Sequence, residues 1–118
     1  NPAVILLATG SEVALALQAG EQLAQEGVAA RVVSLPCLEW FEEQDAAYRE
    51  SVLPASIRAR VSIEAGLAMP WYRYLGDAGI AVSVETFGTP ASGADNFAHF
   101  GFTVENVVAK AKESLAKA

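Results

Sequence analysis

The chain has 118 residues, of which 53% are hydrophobic and 19% charged. That is enough for one domain with a packed core, too short for a two-domain enzyme, and too apolar for a disordered chain. Eight Lys and Arg against 14 Asp and Glu give a net charge of −6. All three lysines (Lys110, Lys112, Lys117) lie near the end of the chain, so no basic stripe exists for nucleic acid. The single cysteine, Cys37, has no internal disulfide partner and the single histidine, His99, leaves little for a metal site, a pattern of intracellular, cytoplasmic proteins.

The first element is an apolar run, Ala3 to Ala8. It is far short of the roughly 20 residues needed to cross a bilayer and lacks the alternation of a half-exposed strand, so it reads as a central parallel strand covered on both faces. No membrane role is expected. Asn1 is not an initiator Met and leads directly into this strand, so the chain is expected to be a fragment of a longer one. Thr9-Gly10-Ser11-Glu12 follows, with Thr9 and Glu12 at capping-box spacing. The helix they open carries Val13, Ala16, Leu17, Gly20, Leu23 and Ala24 as its expected apolar stripe and stops at Gly27. Val28 to Leu35 reads as a second strand, ended by Pro36.

An acidic loop with Glu39, Glu42, Glu43 and Asp45 precedes a short helix from Ala46 to Leu53, closed by Pro54. Arg58 to Glu64 alternates polar and apolar residues and predicts a third strand, turned at Gly66. A helix from Pro70 to Gly76 carries Trp71, Tyr72 and Tyr74, and Ile80 to Val84 predicts a fourth strand ending at Glu85. Phe87 to Gly101 reads as a long irregular loop. Thr103 caps the last helix, whose expected buried stripe is Val104, Val107, Val108, Ala111 and Leu115. Alternating strands and helices require right-handed crossovers, giving a three-layer α/β/α sandwich around a mainly parallel sheet.

In such sheets ligands gather beyond the carboxyl ends of the strands, which here places interest on the turns after Ala8, Glu64 and Glu85. Backbone N–H groups at Thr9, Gly10 and Ser11 could receive a small anion, but the glycines lack dinucleotide-binding spacing and Glu12 puts a carboxylate where the anion would lie. Glu64 and Glu85 could form an acid/base pair if their strands are neighbours, though no nucleophile or metal cluster accompanies them. Cys37 has no basic neighbour to activate it and reads as a small buried hydrophobe; His99 has no nucleophile partner. Trp71, Tyr72, Tyr74, Phe87, Phe97, Phe100 and Phe102 are either core or a docking face.

Ala8-Thr9-Gly10-Ser11-Glu12-Val13-Ala14, Arg31-Val32-Val33-Ser34-Leu35-Pro36, the stretch from Gln44 to Pro54, Glu64-Ala65-Gly66 and the stretch from Phe100 to Val108 together resemble the C-terminal domain of bacterial transketolases over essentially the whole chain. The glycine turn is shared with the third domain of pyruvate dehydrogenase β subunits and of deoxyxylulose phosphate synthase; the segments from Tyr48 to Pro54 and from Gly101 to Val108 are more specific. The resemblance implies a sheet of order 2-1-3-4, with an antiparallel fifth strand lying upstream of Asn1. It also implies a parent enzyme that transfers a two-carbon ketol unit between sugar phosphates in the pentose phosphate pathway, using thiamine diphosphate and a divalent metal. The cofactor, metal and catalytic residues belong to the two preceding domains. No catalytic, cofactor or metal ligand is therefore expected among residues 1–118, which serve as an accessory domain of a homodimer, with Glu64, Trp71 and Tyr74 as expected interdomain or dimer contacts. The alternatives are a stand-alone Rossmann-like module binding an anion at Thr9-Gly10-Ser11, the equivalent domain of another thiamine-diphosphate enzyme such as a pyruvate dehydrogenase β subunit or deoxyxylulose phosphate synthase, and a hydrolase using Glu64 and Glu85.

Overall fold

The computed structural model describes residues 2–9, 12–34, 38–64, 72–83 and 103–118. Four strands, β1 (Val4–Ala8), β2 (Ala30–Ser34), β3 (Arg60–Glu64) and β4 (Ile80–Ser83), form one sheet in the order β2-β1-β3-β4. Every pairing is parallel, with Leu6 opposite Val32 on one side and Val61 on the other. The expected order 2-1-3-4 is the observed one. The antiparallel strand implied by the family is not among the described residues.

All five residues of β1 are fully shielded from solvent, as its unbroken apolar run required. Val4, Leu6 and Ala8 pack with Val61, Ile63 and Val82 under α1 (Glu12–Gln25) and α5 (Val104–Lys117). Ile5 and Leu7 face the other way, onto Phe41, Leu53, Tyr74 and Leu75 from α2 (Leu38–Glu42), α3 (Ala46–Val52) and α4 (Tyr72–Leu75). Two helical layers thus enclose the sheet. No helix among the described residues is long and apolar enough to cross a membrane.

α1 ends where Gly27 takes φ +83°, a left-handed conformation that glycine adopts without penalty. Its buried residues are Glu12, Ala16, Ala19 and Leu23, with Val13 and Leu15 partly covered. Leu17 is 54% exposed and Ala24 faces solvent, which corrects the expected stripe. The small side chains of Ala16 and Ala19 let the helix lie close on the sheet, turning Leu17 outward. At the other end of the chain Thr103 caps α5 as expected, its hydroxyl accepting from the Asn106 N–H at 3.1 Å. Ser114 joins the expected stripe as a fully buried polar residue: it donates to the Ala78 carbonyl (2.6 Å) and accepts from the Arg60 N–H (2.9 Å).

Two further expectations change. The segment read as an acidic loop contains the five-residue helix α2, which points Phe41 inward and Trp40 outward. β3, read as half-exposed, is buried on both faces: Ser62 is fully shielded, and Arg60 and Glu64 are only partly accessible. Ser62 and Arg60 share the sheet face covered by α2, α3 and α4 with Leu7 and Ile5, their partners in β1. Beyond its second strand, Leu35 and Pro36 lie outside the described residues.

Candidate functional site

The sheet winds outward from β1 in both directions, to β2 on one side and to β3 on the other, so the crevice of a doubly wound fold opens between the carboxyl ends of β1 and β3. Thr9 leaves β1 at that point and its hydroxyl donates to Glu64 Oε2, at the end of β3. The capping-box reading of Thr9 leaves out this partner, which lies 55 residues away in sequence. The carbonyl of Thr9 accepts from the N–H of Glu12 (3.1 Å), the first residue of α1, whose carboxylate is buried where the helix dipole favours negative charge. The crevice is thus lined by a hydroxyl turned toward a carboxylate and by a second carboxylate. Gly10, Ser11, Trp71 and Glu85 lie outside the described residues, as do Cys37 and His99.

Tyr74, the remaining expected contact residue, is 7% exposed. Its ring meets Phe41 edge-on (centroids 5.7 Å apart, planes at 76°), and its hydroxyl donates to Glu42 Oε2 at 2.7 Å. Next to it the Arg60 guanidinium is held by four backbone carbonyls: Nε donates to Ile57 (2.9 Å), Nη1 to Tyr74 (2.6 Å) and Nη2 to Pro54 and Leu53 (2.8 and 3.3 Å). Burial pushes its pKa below the usual guanidinium range, and the Glu50 charge opposes that shift. Arg60 is a brace for the α3–β3 connection and the end of α4. Above it lies an open cavity of about 300 Å³ lined by Phe41, Glu42, Arg49, Glu50 and Leu53 among others.

Sequence reasoning missed Trp40 and Tyr48, which are 50% and 42% exposed. Their rings meet edge-on, 6.2 Å apart at 84°, and Tyr48 also leans on Phe41 at 6.4 Å. The signal was present as an aromatic pair, Trp40-Phe41, flanked by acids that the loop reading treated only as solvated charge.

The architecture defines a doubly wound parallel α/β domain whose crevice is closed across β1 and β3 by Thr9 and Glu64. Residues 1–103 match the family of the transketolase-like TK C-terminal domain, and the chain belongs to that family. It is 58% identical over 115 residues to transketolase 1 of Escherichia coli K12, covering 98% of this chain and 17% of that protein. A transketolase 1 of Vibrio vulnificus is 56% identical over 116 residues, with 98% and 18% covered. Among solved structures, transketolase from Leishmania mexicana superposes with a TM-score of 0.90 at 37% identity, covering 99% of this chain and 17% of that one. The transketolase of Campylobacter jejuni gives 0.80 at 36% identity, with 91% and 16% covered. The chain therefore spans about one-sixth of the length of these relatives.

The thiamine diphosphate and divalent metal implied for a transketolase do not fit the described residues. A diphosphate at the crevice would meet the carboxylates of Glu12 and Glu64, and the Thr9 hydroxyl already donates to one of them. No group of three or more His, Cys, Asp or Glu able to hold a metal occurs among the described residues.

Proposed function

We propose that this chain acts as the accessory C-terminal domain of a transketolase and carries no step of the ketol transfer itself. The observation that supports this best is the asymmetry of coverage: almost the whole chain matches, yet it accounts for 17% of the E. coli enzyme. The parent reaction moves a two-carbon ketol unit between sugar phosphates in the cytoplasm, with thiamine diphosphate and a divalent metal held by the preceding domains. In this reading those domains and the second subunit of a homodimer are the partners. Glu64, Trp71 and Tyr74 are assigned in this reading to the interdomain or dimer surface. The anion site at Thr9, Gly10 and Ser11 belongs to the competing reading of a stand-alone module, which the Glu64 carboxylate disfavours by repulsion.

Two measurements on the 118-residue chain test the proposal. Titration with thiamine diphosphate and Mg²⁺ should give no heat of binding, and an assay with a ketose phosphate donor and an aldose phosphate acceptor should give no turnover. Binding or turnover by the chain alone overturns the reading. A saturable phosphate titration, abolished by a Thr9 substitution, would establish the stand-alone module instead.

A further inference from the structure

The face built by α2 and α3 presents two large aromatic side chains, Trp40 and Tyr48, among acidic residues. Trp40 and Tyr48 leave 50% and 42% of their surface exposed, while Phe41 and Tyr74 continue the same chain of ring contacts into the core. Tryptophan and tyrosine at half exposure over an ordered base are the side chains that carry most binding energy in protein interfaces. Their orientation is fixed from below: Tyr48 is held at the start of α3 by its N–H donating to the Asp45 cap (2.8 Å), and Trp40 by the helical turn of α2, whose carbonyl also accepts from Gln44 Nε2 (3.1 Å). A preset aromatic pair loses little entropy on docking.

Charge selects the occupant. Glu39 and Glu43 are both exposed and lie one helical turn apart, the Glu43 N–H donating to the Glu39 carbonyl at 3.1 Å. Like charges at that spacing repel, and a cation between them relieves the repulsion. Asp45 and Glu50 extend the acidic rim, and the one cationic side chain carried by α2 and α3 themselves, Arg49, is held beside Glu42 (3.9 Å). An arginine presented to this face would find the ring of Trp40 for a cation–π contact and two carboxylates for hydrogen bonds.

We propose that the α2–α3 face, with Trp40 and Tyr48 at its centre and Glu39 and Glu43 on its rim, is the surface through which this domain grips an arginine-bearing segment of the catalytic part of a transketolase. The inference rests on the accessory-domain reading and deepens it by naming the face and the chemistry of its partner. Docking is steered by the acidic rim and anchored by the rings, so it weakens with ionic strength.

The test uses this chain and, as the probe, the E. coli transketolase truncated before its own C-terminal domain, with affinity measured by calorimetry at 50 and 500 mM salt. Trp40→Ala should weaken binding at least tenfold. Glu39→Gln combined with Glu43→Gln should weaken it several-fold and flatten the salt dependence. Trp40→Phe should recover part of the loss, and Leu17→Ala, on the opposite helical layer, should bind like the parent chain. Melting curves check that each variant is folded. If the unmodified chain binds but the Trp40 and double-glutamate variants bind equally well, the proposed face is wrong and the accessory reading stands. If the unmodified chain does not bind the truncated enzyme at all, the accessory reading itself falls, and this inference with it.

Discussion

Ser62 and Ser114 are both fully shielded from solvent, yet their hydroxyls are in opposite situations. Ser114 joins α5 to the start of β3 and to the turn before β4 through Arg60 and Ala78. Ser114→Ala strands a buried N–H and a buried carbonyl, and should lower unfolding free energy in urea by about 1–3 kcal/mol. Ser62 Oγ has no hydrogen-bond partner among the described residues. Ser62→Ala removes a desolvated hydroxyl from between Leu7 and Ala81 and should leave stability unchanged or raise it by about 1 kcal/mol in the same experiment. Neither role was legible beforehand, because a serine in an alternating strand or a helix reads as a surface residue. Ser62 and Arg60 lie under a second layer of helices, where carbonyls replace water around the Arg60 guanidinium, and Glu64 is met by Thr9 from the next strand; no periodicity along β3 reports that. Thr9 illustrates the same limit: its helix-start position was plain, its partner 55 residues on was not.

At the level of elements, punctuation was the most readable part of the sequence. Gly27, Thr103 and the apolar run of β1 each act where they were expected, because each answers a local need for a left-handed turn, an orphan N–H or burial on both faces. α2 escaped notice because five residues are too few for a helical period and its acids mimic a loop. Gly79 is a stricter constraint than Gly27, since a Cβ there would overlap the Leu75 carbonyl oxygen in the tight turn from α4 to β4. Gly79→Ala should destabilise by about 2 kcal/mol or more, seen as a lowered melting temperature, whereas Gly27→Ala should cost about 1 kcal/mol from its positive φ alone. The pairing of α1 with α5 has a pH signature. The hydrogen bond from Lys112 holds the Glu26 carboxyl below its ordinary value near 4.5, with Gln22 adding to it. A depressed carboxyl stabilises the fold above about pH 4.5 and loses that contribution as pH falls through the lowered value, so Lys112→Met should flatten the acid limb of a stability–pH profile. The pair is exposed, and salt should shrink the difference between the two profiles.

For the whole molecule, the parallel α/β class and the central place of β1 were legible from alternation and from its apolar run, whereas the order 2-1-3-4 came from the family resemblance. The candidate site was less legible, because Trp40 and Tyr48 acquire meaning only once α2 and α3 place them side by side. One further property follows from the position of β1, which is first in the chain and central in the sheet. During synthesis its five apolar residues emerge before either neighbour exists, and β3, which seals one side, arrives only after residue 60. α5, which completes the cover above it, follows the four strands in sequence. Every lateral bond of that strand is therefore formed with sequence made later, and such distant pairings form slowly. Until β3 and α5 have been made, β1 is an unprotected, self-adhesive segment, so productive folding of this domain depends on what shields it in that interval.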